Sequence, residues 1–86
     1  MDRVYFPEAK AYRIKTGLSI KQLSKLAGVD PKIIILLESG SEIEALTFAK
    51  IAKALNKILK EKKEPLIDID FIMDGLDDEE NDSIFF

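Results

Sequence analysis

A chain of 86 residues has material for one small domain and no more. It contains no cysteine and no histidine, which excludes a disulfide framework, a thiolate zinc site and the commonest general base. Net charge is −3, but residues 1–64 carry all 13 Lys and Arg beside 8 Asp and Glu, whereas residues 65–86 carry 8 Asp and Glu and no base.

That segregation predicts a basic body and an acidic tail. No cofactor, metal site or enzymatic activity is expected, because there is no His or Cys, the carboxylates are densest in the tail and no Gly-rich phosphate loop is present. The start, MDRVYFPEAK, does not read as a signal peptide, and no apolar run is long enough to span a membrane. A cytoplasmic location is the expectation.

The first element, residues 7–16, reads as a short helix, with Pro7 at its start, Ala11 and Ile14 on its inner face, and Gly17 as its stop. Ser19 with Gln22 three residues on is a capping box. The helix it opens runs to Ala27 with an apolar stripe of Ile20, Leu23, Leu26 and Ala27. Gly28 ends it, and the tight turn there calls for a residue without a side chain. Asp30 caps the next helix, Pro31 sits in its first turn, and it runs to about Glu38.

Residues 44–63 read as one long helix, with Ala45, Phe48, Ala49, Ala52, Leu55 and Leu59 at steps of three or four. Leu46, Ile51 and Ile58 widen that stripe, and Pro65 forbids continuation. Lys50, Lys53, Lys57 and Lys60 form a solvated stripe. Residues 66–76 alternate like a strand but also fit a short helix capped by Asp68, and the helix is preferred because Gly75 would end it. Residues 1–64 are expected to be the domain, 65–76 a short extra element, and 77–86 an acidic flexible tail.

Two short helices joined through Gly28-Val29-Asp30 make a helix-turn-helix over about residues 19–39. The stretch GLSIKQLSKLAGVDPKIIILLESG, followed by FAKIAKALNK, resembles the phage-repressor-like family of the lambda repressor and Cro type, also called XRE. The matching residues are Gly17-Leu18-Ser19, Leu23-Ser24, Gly28-Val29-Asp30, Ile34, Glu38-Ser39-Gly40 and Ile51-Ala52-Lys53-Ala54-Leu55. Arg13 falls where the family has a first-helix Arg. The resemblance covers about residues 8–60. It implies an all-α, compact bundle of four to five helices. It also implies a small bacterial or phage transcriptional regulator that binds double-stranded DNA, works as a dimer and is compatible with an antitoxin-like role.

The departures fall on the DNA-reading surface. Ile20 stands where the family has a Gln, and Ile33, Ile35 and Leu36 stand where its third helix shows polar side chains. Ile34 and Leu37 occupy the inward positions. Three readings of Ile33, Ile35 and Leu36 stay open. They touch thymine methyl groups, with Lys32 and Ser39 reading bases and Lys21, Lys25 and Arg13 on phosphates. Or they form an interface with a protein partner or a second copy, joined by Phe71, Phe85 and Phe86. Or Phe71, Ile72 or Ile84-Phe85-Phe86 covers them within the chain. Glu38 reads as structural. The acidic tail is either solubilising or a competitor for the surface that holds phosphates.

Overall fold

Local hydrogen bonds set the boundaries of the central pair of helices. In α2 (Ile20–Ala27), the Ser19 hydroxyl accepts from the Gln22 N–H at 3.0 Å, and the Gln22 side chain accepts from the Ser19 N–H at 2.9 Å. In α3 (Pro31–Glu38), Asp30 Oδ1 accepts from the Lys32 N–H at 2.9 Å, with Pro31 in the first turn. These caps satisfy N–H groups that a helix start otherwise leaves open. Gly28, between the helices, has φ +72, and a Cβ built there meets nothing within 4 Å. The turn therefore requires glycine for its left-handed backbone, which a residue without a side chain adopts freely, and not for space.

The structure, a computed structural model, describes residues 2–74. Gly75, the acidic run from Asp77 and the Ile84-Phe85-Phe86 triplet lie outside the described residues. Around α2 and α3 stand α1 (Ala9–Thr16) and the long α4 (Ala45–Glu61), and residues 69–74 form a further helical segment, α5. The helical bundle is as expected. One addition is an antiparallel ribbon of β1 (Arg3–Val4) and β2 (Ile43–Glu44), with Arg3 opposite Glu44 and Val4 opposite Ile43. Two-residue strands are too short for alternation to announce them. Val4 and Ile43 are both buried, so the ribbon anchors the start of the chain beside the loop after α3.

The core is built on α4, which packs on α1 and α2; its Phe48, Ile51, Ala52, Leu55 and Leu59 are buried in one cluster with Leu23 of α2 and Ile34 and Leu37 of α3. Phe6 stands edge-on to Phe48, with centroids 5.4 Å apart, and stacks on Tyr12. Two stripe assignments change. In α1 the inner face is Ala9, Tyr12, Arg13 and Thr16, while Ala11 is exposed and Ile14 is 62% exposed. In α4 Leu46 points outward. The α1 helix is short and rich in polar residues, so its sparse apolar pair did not define a face.

The end of α4 is a Schellman turn: Glu64 N–H donates to Leu59 C=O and Lys63 N–H to Lys60 C=O, with Lys63 at φ 58. The chain then turns back. Asn56 clamps Ile67 through both backbone groups, donating to its carbonyl at 2.9 Å and accepting from its N–H at 2.8 Å. Ile67 is buried in the same core, and Asp68 caps α5 through the Phe71 N–H.

The inward and outward faces of α3 can be separated by truncation. Leu37→Ala removes a fully buried side chain and is expected to cost about 2–5 kcal/mol in urea unfolding. Ile35→Ala, two residues away and half exposed, is expected to stay within about 0.5 kcal/mol of the parent.

Candidate nucleic-acid interface

Burial of Ile34 and Leu37 fixes the roll of α3 about its axis and so decides what the helix presents. Outward stand Lys32, Ile35 and Leu36, with Ile35 51% and Leu36 45% exposed. Ile33 is half-buried and packs against the core, so the outward set is smaller than the expected three aliphatics. On α2, burial of Leu23 and Ser24 leaves Lys21, Gln22 and Lys25 exposed. Ser39 closes α3, its hydroxyl donating to the Leu36 carbonyl at 2.8 Å.

Ile35 and Leu36 form a ridge between two shallow hollows. One is lined by Lys10, Ile20, Ile35, Glu38 and Ser39. The other, toward β2, is lined by Ile33, Leu36 and Ile43 together with Arg3, Glu42 and Glu44. Arg3 donates to the Glu42 carbonyl at 2.9 Å. Lys10 and the Glu42–Glu44 pair were not among the sequence candidates. Lys10 comes to α3 from another helix, and the two acids reach Leu36 only because the ribbon folds the loop back.

Arg13 departs from its expected place on a phosphate. Its Nε donates to Glu38 Oε2 at 2.7 Å and its Nη2 to Glu38 Oε1 at 3.0 Å, a two-pronged ion pair. Its Nη1 donates to the Leu18 carbonyl at 3.1 Å. The two side chains are 15% and 8% exposed. The hydrogen bonds to Glu38 raise the Arg13 pKa above the ordinary guanidinium value; burial opposes this, and the charge of Glu38 adds to it. The fork ties α1, the loop before α2 and the end of α3 together, so Arg13 and Glu38 both serve as frame.

Phe71 is 75% exposed and lines neither hollow, so among the described residues it is no cover for the ridge. Phe85 and Phe86 lie outside the described residues. Lys25 sits apart from α3, on the rim of a groove between α2 and α4.

Two short capped helices in this order, with α1 and α4 bracing them, correspond to a family model described as helix-turn-helix, which matches residues 10–61. The chain belongs to the helix-turn-helix family, of the phage-repressor or XRE type. It is by family a DNA-binding regulator, and the matched span runs from α1 to the end of α4. No curated protein and no solved structure matches it. Among the described residues, no helix of this helix-turn-helix protein is long and apolar enough to cross a membrane.

The Arg13–Glu38 fork can be tested by removing its acceptor. Glu38→Ala strips a charged acceptor from a largely buried guanidinium and is expected to lower stability by on the order of 2 kcal/mol in chemical denaturation. A change within about 0.5 kcal/mol would return Arg13 to the pool of free surface cations.

Proposed function

We propose that this protein is a small transcriptional regulator, bacterial or phage in type and cytoplasmic, that lays α3 in the major groove of double-stranded DNA. The observation that carries this reading is the family match across a helix pair whose second member keeps its outward face uncovered among the described residues. Lys21, Lys25 and Lys32, all exposed, are the phosphate contacts. Ile35 and Leu36 meet thymine methyl groups, so base reading is weak and favours A·T pairs. Ser39 and the half-buried Ile33 stand at the margin of that surface. Two copies on a palindrome is the arrangement this geometry favours. An antitoxin-like use, in which the C-terminal part grips a partner, is compatible with this reading.

Titration against random-sequence duplex DNA at low and moderate salt tests this. Affinity is expected to fall steeply with salt. Replacing Lys21, Lys25 and Lys32 together by Gln should reduce the slope by about 0.9 for each phosphate left without its cation. Binding that is absent at low salt would sink the reading.

A second reading is favoured by one specific observation: Glu42 and Glu44 share a hollow with Leu36. Carboxylates beside an exposed aliphatic ridge repel phosphates and suit a protein surface with basic groups around an apolar centre. Ile35→Lys discriminates the two. It is expected to leave or raise non-specific DNA affinity, whereas a protein interface centred on the ridge would be weakened at least tenfold, roughly the 1.4 kcal/mol of a missing apolar anchor.

A further inference from the structure

An open apolar groove lies away from α3, between α2 and α4; it is lined by Leu18, Gln22, Lys25, Leu26 and Ile58 and has a volume of about 480 Å³. That volume lies in the range of roughly 300–1,000 Å³ typical of ligand clefts. Leu26 is exposed and Ile58 half-buried, so the groove presents aliphatic surface to solvent. Lys25 forms one rim. Lys62 stands one turn beyond Ile58, with its Nζ 3.7 Å from a Cβ built on Gly17, the neighbour of Leu18.

We propose that the groove is the docking site of this chain's own C-terminal segment, with Ile84-Phe85-Phe86 on Leu18, Leu26 and Ile58, and the preceding acids over Lys25 and Lys62. Three observations select this occupant. The segment joins an acidic run, Asp77-Asp78-Glu79-Glu80, to an apolar triplet, the complement of an apolar groove lined by Lys25 with Lys62 near its Leu18 end. Next, the hollow toward β2 holds the carboxylates Glu42 and Glu44, and so disfavours an acidic occupant. Finally, the chain leaves α4 tied to it: Asn56 holds Ile67 by both of its backbone groups, so residues 75–86 follow a segment anchored on that helix.

Residues 75–86 can span up to roughly 40 Å at about 3.3–3.6 Å per residue, against molecular dimensions of 46, 28 and 19 Å. Covalent attachment gives an effective concentration on the order of millimolar, so weak apolar and ionic interactions are enough to fill the groove. The proposal stands whether or not α3 reads DNA, although an occupied groove would cover Lys25.

Since the chain has no cysteine, Ser83→Cys provides a single attachment point for a nitroxide label on the full-length protein. Methyl signals of Leu18, Leu26 and Ile58 are expected to lose most of their intensity, while those of Ile35 and Leu36 persist. The quenched signals should return in Phe85→Ala/Phe86→Ala and in Lys25→Glu, and return in part at high salt. Unselective or absent broadening, broadening centred on α3, or selective quenching that survives both variants would overturn the proposal. Quenching transmitted in a mixed sample, from labelled molecules to unlabelled isotope-enriched ones, would assign the groove to a second copy and overturn it equally.

Discussion

An eight-residue helix in water does not hold its own shape, and α3 is such a helix. Everything outward on it depends on what grips it from inside. Ile34 and Leu37 are fully buried as α3 packs on α2, α1 and β2, and Glu38, one position further, takes both prongs of Arg13. The apolar pair sets the roll of the helix. The ion pair sets the position of its end relative to α1 and to the loop that launches α2. With both in place, Ile35 and Leu36 must face solvent, since residues one and two positions from a buried pair point elsewhere around the helix.

The charges fall into separate places for the same reason. Lysines stand along the outer faces of α2 and α4, because those helices bury their aliphatic stripes. Carboxylates reach Leu36 because the ribbon of β1 and β2 brings Glu42 and Glu44 alongside it. The ridge on α3 is therefore apolar with mixed charge around it, while the groove between α2 and α4 is apolar with Lys25 in its lining and Lys62 near its Leu18 end. These surfaces suit different partners, and the family's DNA-binding role bears on the first of them.

Much of the frame was legible because its signals are local. Ser19 with Gln22, Asp30 before Pro31, and the glycines at 17 and 28 act within four residues of themselves, and each forms the cap or turn expected. The α4 stripe was legible because seventeen residues repeat the pattern enough times to define a face. Where the pattern was short it misled: Ala11 and Ile14 suggested a face that α1 does not bury, and the strand pair left no readable alternation. Lysine candidates on α2 and α3 are exposed as expected, but exposure is common to any lysine and says little about a phosphate.

Neighbouring residues were thus enough to set where the helices start and stop and the order of the helix-turn-helix, while the inward places of Ile34 and Leu37 were implied by the family resemblance. Caps, glycine backbone angles and helical periodicity are short-range physics, written within a few positions of one another. Packing settled the rest. Arg13 meets Glu38 across 25 positions, Asn56 meets Ile67 across 11, and Arg3 reaches Glu42 across 39. Such pairings follow from how helices pack, and packing depends on the whole core at once. They turned one expected phosphate contact into a strut, set acids beside the α3 ridge, and opened a lysine-rimmed groove between α2 and α4.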